Sequence, residues 1–542
     1  MFKYASLILK YKNFSQEQAN NILCYKEIIN FYKSCKEVSD KMDKKSTKKL
    51  SLTALVLMIF TSVFGFANMP RSYYLMGYGA IIWYIFSAFT FFIPFAFMMA
   101  EYGAAFEKEK GGIYSWMSKS VGPKFAFVGT FMWYASYIVW MVNVSSSIWI
   151  PFSTAIFGDD RTAAWSAFGL NSTQVIGILG IIWVVLVTRI ASKGVGQITK
   201  ITSVGGTAVA ALNIVLIVGA VLIFIANGGK LAQPLQGGRA FVTSPNPAYQ
   251  SFISSLGFLV FALFSYGGIE VVGGLVDETE NVRVNFPKGI TLAAIVISIG
   301  YSLGILLCGV FTNWESVLSS NRIHMGNVAY ILMKNFGYEF GRAFGLAEGV
   351  SLQIGVWVAR FVGLSMFLAF TGAFFALSYS PLKQLIDGTP HGLWTPKIEE
   401  TKDDIPVNAM WVQCSIVVVM IALVSFGGEG ASKFFSRLIL MTNVAMTLPY
   451  MFLSVAFPAF KKNSNIKKPF EFFKSYSTAF LATVLVTLTV GFANLFTIIE
   501  PTIMKGDYVS TIWMIVGPIV FIITALIIYG RYERKIKNKK VA

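Results

Sequence analysis

Charged residues are scarce in this sequence. Asp, Glu, Lys and Arg together make up 13% of the 542 residues, whereas 55% are hydrophobic and the mean hydropathy is +0.62. A soluble protein of this length could not bury so much apolar surface. The composition therefore predicts an integral membrane protein.

Histidine and cysteine are scarce as well, with two and four residues respectively. Because no two cysteines stand at the short spacing of a metal site, neither zinc binding nor a disulfide framework is predicted. The phosphate-binding pattern G-x-x-x-x-G-K-[ST] of ATPases is absent from the sequence. Since the remaining polar parts are short loops, we expect no cofactor, no metal and no enzymatic activity.

Long apolar runs dominate what is present. A helix needs about 20 apolar residues to cross a bilayer, where it satisfies its own backbone hydrogen bonds. The sequence predicts an all-α polytopic membrane protein with 12 transmembrane helices. The twelve segments are 52–77, 79–103, 125–151, 172–189, 201–226, 250–276, 288–312, 350–379, 408–426, 434–458, 476–498 and 509–530.

The net charge of +18 comes from an excess of lysine and arginine, and the distribution of these residues along the chain explains it. Most of these cations lie in alternate segments, which is the bias that places positive loops in the cytoplasm. Both termini are therefore predicted to be cytoplasmic, and no nucleic-acid partner is expected. The Lys-rich residues 1–50 form a tail, in which residues 1–41 are a dispensable extension, an upstream mis-start of translation, or an amphipathic helix on the inner leaflet.

Two of the twelve segments contain helix breakers. The first reads VFGFANMPRSYYLMG over residues 63–77, with a glycine and a proline in its middle, and the sixth carries Glu270 between two Gly-Gly pairs. Either interruption alone would be compatible with a simple kink. Two interruptions five segments apart instead predict an inverted 5+5 repeat with discontinuous helices 1 and 6, followed by two additional helices.

Interrupted helices expose peptide groups that can bind a small molecule. The N-terminal end of a half-helix offers unpaired N–H groups and a positive dipole, whereas carbonyl groups on the other side of the break attract a cation. An amino acid carries both charges. We therefore predict an amino-acid transporter, and a channel or a membrane-embedded amino-acid sensor without coupled transport are the alternatives.

Three side chains in the apolar segments have more than one interpretation. Glu270 either carries a proton during transport or has a structural role, in which it pairs with a buried cation such as Arg360 or caps a neighbouring half-helix. Arg360 could also bind a substrate carboxylate or extend towards the membrane surface. Tyr137 belongs to an aromatic stripe at helical spacing, which more often packs than binds ligand.

Three stretches together resemble motifs of the amino acid–polyamine–organocation superfamily, and in particular of its glutamate/GABA-antiporter branch. They are EKEKGGIYSWMSKSVGPKFAF (107–127), SYGGIEVVGGLVDETENVRVNFPKGI (265–290) and YSPLKQLIDGTP (379–390). The resemblance extends over residues 48–530. It implies the LeuT-type fold, alternating access, and amino-acid exchange or proton symport in a bacterial cytoplasmic membrane.

The resemblance also implies which residues bind substrate and how the chain is divided. It makes Glu270 the proton-coupling residue. The implied substrate-binding residues are Gly65, Phe66, Ala67, Asn68, Met69, Tyr266, Gly267, Gly268 and Ile269. The implied domains are a tail (1–50), a ten-helix transport core (51–458), two additional helices (459–530) and a basic tail (531–542). The expected partners are an amino acid and membrane lipid, and the oligomeric state stays open.

Two departures from the antiporter pattern bear on mechanism. The stretch after the last segment is only RYERKIKNKKVA, whereas enterobacterial glutamate/GABA antiporters end in a cytoplasmic plug, so plug-type acid gating is not expected. Ala373 lies in the eighth predicted segment (350–379), at the position where those antiporters have a glutamate. Glutamate and GABA therefore name the branch that the chain resembles, and they are not predicted to be its substrates.

Overall fold

The computed structural model describes residues 49–235, 237–402 and 405–541. The predictions for the tail at residues 1–48 lie outside the described residues. Within them the structure is all-helical, as predicted, and β pairing is limited to three isolated bridges.

The described residues form twenty α-helices, joined by short 3₁₀ segments and loops. The first ten are α1 (Leu52–Val63), α2 (Asn68–Met76), α3 (Ala80–Ser87), α4 (Ile93–Ala105), α5 (Gly112–Ser120), α6 (Pro123–Ser147), α7 (Trp149–Phe157), α8 (Ser172–Ala191), α9 (Val195–Ala226) and α10 (Phe252–Phe264). The second ten are α11 (Val282–Phe311), α12 (Trp314–Leu318), α13 (Val328–Ala343), α14 (Glu348–Ile386), α15 (Pro396–Glu399), α16 (Val407–Phe426), α17 (Gly428–Ala445), α18 (Leu448–Lys462), α19 (Tyr476–Lys505) and α20 (Tyr508–Val541).

Ten helical stretches in the described chain are long and apolar enough to cross a membrane. They are Asn68–Ala105, Pro123–Phe157, Ser172–Ala191, Val195–Ala226, Phe252–Leu275, Val282–Phe311, Glu348–Ile386, Val407–Phe426, Tyr476–Lys505 and Tyr508–Asn538. The number differs from twelve because α1 has only 12 residues, and because segment 434–458 is divided between α17 and α18. The count of twelve and the inverted repeat stay predictions.

The first predicted interruption is present between α1 and α2. The backbone leaves the helix at Phe64, turns through Gly65 to Ala67, and begins α2 at Asn68. Pro70 lies in the first turn of α2, where a backbone N–H is not needed. The proline therefore starts the second half-helix rather than kinking a continuous one.

The second interruption follows α10. That helix ends at Phe264, and after a turn the chain continues as a 3₁₀ helix over Ile269–Leu275. Gly268 has a φ of +113°, which side-chain-bearing residues rarely adopt. Both breaks therefore lie where glycines interrupt an apolar run.

Long helices hold the two interruptions. α14 spans 39 residues and packs against α7, α9 and α13, while α11 packs against α1, α2 and α4. Large apolar side chains on the outer faces of α9, α11 and α19 are exposed, for example Ile225, Ile299 and Leu488. Such faces would promote aggregation in water but match the hydrocarbon of a bilayer.

Candidate substrate site between two interrupted helices

A tyrosine hydroxyl joins the two interruptions. Tyr301 of α11 is fully buried, and its hydroxyl accepts a hydrogen bond from the backbone N–H of Gly65 at 2.9 Å. The same hydroxyl lies 3.2 Å from the carbonyl oxygen of Val63 and 2.9 Å from that of Ser265, to either of which it can donate. One side chain therefore satisfies backbone groups that both breaks leave without helical partners.

The two breaks also approach each other directly. A Cβ atom added at Gly268 would lie 2.5 Å from the carbonyl oxygen of Ser62, and one at Gly267 would lie 2.7 Å from the hydroxyl of Tyr450. Only glycine allows this close approach of backbone to backbone. Gly268 is therefore required by packing as well as by its backbone conformation.

A cavity of about 320 Å³ lies between the interrupted helices and α6, α9, α14 and α18. Its lining from the two breaks includes Gly65, Phe66, Ala67, Asn68, Gly267 and Gly268, and its wall on α14 is formed by Met366, Ala369, Phe370, Ala373 and Leu377. The N–H groups of Phe66 and Ala67 have no hydrogen-bond partner among the described residues. The cavity thus combines free peptide groups with an apolar wall.

The predicted site residues divide into two groups. Gly65, Phe66, Ala67, Asn68, Gly267, Gly268 and Tyr137 line the cavity. Met69, Tyr266, Ile269, Glu270 and Arg360 are not part of its lining. Met69 packs against Gly304, and the ring of Tyr266 stacks on Phe92 at 4.6 Å.

Glu270 is enclosed behind the second break rather than open to the cavity. Its side chain is 1% exposed. One carboxylate oxygen accepts hydrogen bonds from the indole of Trp133 at 3.1 Å, the hydroxyl of Tyr137 at 3.2 Å and that of Tyr450 at 3.3 Å. The other accepts from the backbone N–H of Gly268 at 3.1 Å. The carboxylate therefore connects the break to α6 and α18.

Arg360 lies in a different place. Its guanidinium stacks on the ring of Trp357 at 4.9 Å, and its neighbours include Phe152, Ile156 and Leu364 in an apolar groove between α7 and α14. It forms no ion pair with Glu270, whose partners are the four donors described above. The structural pair considered from the sequence is thus absent.

Arg71 is a cavity residue that the sequence analysis did not select. It lies in the first turn of α2 and lines the cavity. Its Nε donates to the carbonyl oxygen of Met325 at 2.7 Å. The signal was available in the sequence, because Arg71 directly follows the helix breaker Pro70 in an apolar segment.

Beyond the second break, an ionic cluster fixes the 3₁₀ segment and the loop after it to α14. The ammonium of Lys383 is fully buried and lies 2.6 Å from Glu278, 3.1 Å from Asp277 and 3.1 Å from the carbonyl oxygen of Gly274. The hydroxyl of Tyr379 also donates to Glu278, at 2.9 Å. We call these residues, Asp277, Glu278, Tyr379 and Lys383, the latch.

Comparison with known proteins identifies the family. A sequence profile described as amino acid permease matches residues 50–528. The chain belongs to the amino acid permease family. This permease therefore has the superfamily membership that its three motif stretches predicted.

The relatives of this permease are named as transporters, in agreement with the prediction that it is not an enzyme. It is 57% identical over 497 residues to the inner membrane transporter YjeM of Escherichia coli K12, covering 91% of this chain and 99% of that protein. LMIFTSVFGFAN (57–68) and YGGIEVVGGLVD (266–277) are stretches of this chain that resemble YjeM-type permeases.

More distant relatives carry names that specify substrates. This permease is 23% identical to the aspartate/glutamate permease AcaP of Lactococcus lactis subsp. cremoris, over 80% of this chain and 85% of that protein. It is 22% identical to a glutamate/gamma-aminobutyrate antiporter of Lactococcus lactis subsp. lactis, over 91% of each chain.

Proposed function

We propose that this permease is a secondary active transporter that moves an amino acid across the bacterial inner membrane by alternating access. The observation that carries the proposal is the cavity between the two interrupted helices, which is lined by Phe66 and Ala67, whose N–H groups have no described partner, and by Gly267 and Gly268 of the second break. Such groups bind a zwitterion without the cost of placing opposite charges in the membrane interior.

The dimensions of the cavity support a substrate of this size. Its volume of about 320 Å³ is at the small end of the range of roughly 300–1,000 Å³ typical of small-molecule sites. The aromatic and aliphatic wall of α14 can pack against the side chain of the substrate. The inner-membrane location is supported by the name of the YjeM relative and by the apolar spans.

The latch supports alternating access, because it is a reversible connection between the interrupted helix and a long continuous one. Its ion pairs join the segment after the second break to α14 without any covalent link. When this connection opens, the 3₁₀ segment can move away from α14 and open one end of the cavity. Alternating access requires that the opposite end opens while the latch is closed.

Transport is coupled either to exchange of a second amino acid or to proton symport. Glu270 supports the proton alternative, because its carboxylate is enclosed beside the cavity and accepts a hydrogen bond from Tyr137, which lines the cavity. A glutamate/GABA-type exchange is supported by the names of the distant relatives. It is not supported by α14, where the cavity is lined by Ala373, the position at which the resemblance places the antiporters' glutamate.

Counterflow into proteoliposomes tests the function. Purified protein is reconstituted with each common amino acid, GABA or a polyamine inside, and entry of the same labelled compound is measured. We expect saturable uptake that is stimulated from the opposite side for at least one amino acid. Flux that is linear in concentration would indicate a channel, and ligand-induced thermal stabilisation without flux would indicate a sensor.

A pair of glycine variants makes this experiment specific for the interrupted helices. Gly268→Ala places a methyl group against the carbonyl of Ser62 and should abolish uptake. Gly194→Ala is the matched control, because Gly194 also has positive φ (+142°) but has open space around its Cβ position. Normal uptake by Gly268→Ala would show that the break is not the substrate site.

A further inference from the structure

We propose that Arg71 makes this permease selective for substrates with a second carboxylate, that is, for acidic amino acids over their amides. The inference rests on the proposed transport function and specifies its substrate class. Three observations carry it: the place of Arg71 in the cavity, its lack of an ionic partner, and the apolar nature of the opposite wall.

Arg71 is a partly buried cation without a counter-ion among the described residues. Its Nε is occupied by the carbonyl of Met325, and no described carboxylate lies within 4 Å of its guanidinium. Two buried ammonium groups in the described chain are neutralised, since Lys383 pairs with Asp277 and Glu278 and Lys461 pairs with Glu101 at 2.9 Å. Arg71 differs from these two lysines because it lines the cavity and has no described carboxylate as a partner.

The position of Arg71 in α2 makes the absence of a counter-ion more unfavourable. A cation in the first turn of a helix is repelled by the positive end of the helix dipole, at a cost that is typically 0.3–1 kcal/mol. No acidic residue lies in the first turn of α2 to offset it. The dipole and the guanidinium therefore create one region of positive potential at the edge of the cavity, where an anion is stabilised.

The remaining lining offers no competing charge. Among the described residues that line the cavity, Arg71 alone is charged, and the wall on α14 is apolar throughout. Glu270 is not part of the lining, and its carboxylate accepts hydrogen bonds from four donors. A ligand carboxylate that enters the cavity is therefore free to pair with Arg71.

An acidic amino acid fits both parts of the site. Its α-ammonium and α-carboxylate bind the peptide groups at the two breaks, and its side-chain carboxylate accepts hydrogen bonds from the guanidinium. Arginine presents a planar fork of donors that matches a carboxylate, and a neutral amide cannot replace the charge. The structure thus predicts discrimination between glutamate and glutamine, which have almost the same shape.

The test is competition in the counterflow assay between each acid and its isosteric amide. Wild type should take up glutamate or aspartate at least about tenfold more efficiently than glutamine or asparagine, because the amide leaves the charge of Arg71 unpaired. Arg71→Gln should reduce uptake of the acid about tenfold or more while changing uptake of the amide less than about threefold. Arg71→Lys should retain an intermediate preference, because it keeps the charge but loses the fork.

Two further variants separate this role from a structural one. Arg360→Gln removes the arginine in the apolar groove outside the cavity and should leave the preference unchanged. Ala373→Glu adds a carboxylate to the cavity wall and should shift the preference towards the amide, even in a protein that retains Arg71. This second change is a gain of selectivity that a misfolded protein cannot show.

The outcomes distinguish the inference from the function on which it rests. If wild type exchanges no amino acid at all, the proposed function fails. If wild type exchanges amino acids but accepts the amide as well as the acid, or if Arg71→Gln lowers both equally, only the selectivity inference is overturned. Equal loss of both substrates would mean that Arg71 binds the α-carboxylate or supports the fold.

Discussion

Single side chains satisfy the backbone that the interruptions expose. In a membrane interior, an unpaired N–H or C=O group cannot turn to water, so each break needs a polar partner from elsewhere. Tyr301 supplies one for Gly65, Val63 and Ser265 together. Sequence analysis could not find it, because a lone tyrosine in an apolar helix has the same appearance as a packing residue.

Tyr301→Phe should therefore weaken the site without disturbing the apolar packing. Loss of the hydroxyl leaves the part-buried N–H of Gly65 unpaired, at a cost of up to about 1–3 kcal/mol. We expect a lower apparent melting temperature in detergent and reduced uptake. Tyr73→Phe is the matched control, since its buried hydroxyl donates only to the carbonyl of Thr312. Equal losses in the two variants would argue against a special role for Tyr301.

Glu270 was predicted from the sequence as an unusual carboxylate, but its partners were not. Trp133, Tyr137 and Tyr450 come from two other helices, and no spacing in the sequence indicates that they converge. The structure gives Glu270 a positioning role at the break in addition to the proposed role in proton coupling. The two roles predict different results for the same substitution.

Glu270→Gln should reduce the dependence of uptake on pH if the carboxylate carries a proton. The side-chain NH₂ of the glutamine faces either the N–H of Gly268 or the indole N–H of Trp133, and both of these groups are donors only. Some loss of stability is therefore expected in either orientation of the amide. The measurement is initial uptake between pH 5 and 8, normalised to the maximum for each protein. A pH profile like that of wild type would contradict the proton role.

At the scale of helices, the interruptions are the part of the site that sequence predicts well. Glycine, proline and glutamate are conspicuous in an apolar run, and the 3₁₀ segment Ile269–Leu275 follows the Gly-Gly pair as expected. The latch could not be predicted in this way. Lys383 looks like an ordinary cation at the end of a transmembrane helix, yet in the fold it is fully buried between Asp277 and Glu278.

Removal of the lysine from the latch should be strongly destabilising. Lys383→Ala leaves Asp277 and Glu278 without their buried partner, and breaking such a pair costs about 3–5 kcal/mol. Lys119→Ala removes an exposed pair with Glu109, which is worth about 1 kcal/mol or less. Apparent melting temperatures in detergent compare the two variants.

The functional consequence of the latch can be separated from its contribution to stability. A variant that replaces Lys383 by Met, Asp277 by Asn and Glu278 by Gln removes all the charges together and should recover much of the stability. We expect it to remain folded but to favour the conformation in which the 3₁₀ segment has moved from α14. Unchanged labelling of a cysteine placed at Ala373 would contradict a gating role.

At the scale of the whole molecule, composition and hydropathy establish the class of protein but not the path of every helix. The all-helical membrane fold and the permease family follow from apolar runs and motifs along nearly the whole chain. The number of membrane spans does not follow from these apolar runs, because half-helices such as α1 and α2 are too short to be counted as spans on their own. The contacts that define the site join residues more than two hundred positions apart, such as Gly65 and Tyr301.

The central claim is that an amino acid binds between the two interrupted helices. Its most direct test is a single-particle structure of the protein in a lipid nanodisc with the amino acid that gives the strongest counterflow. We predict ligand density in the cavity, in contact with the peptide groups of residues 65–68 and 265–268. Density confined to another place, such as the groove beside Arg360, with the cavity closed by side chains, would contradict the account.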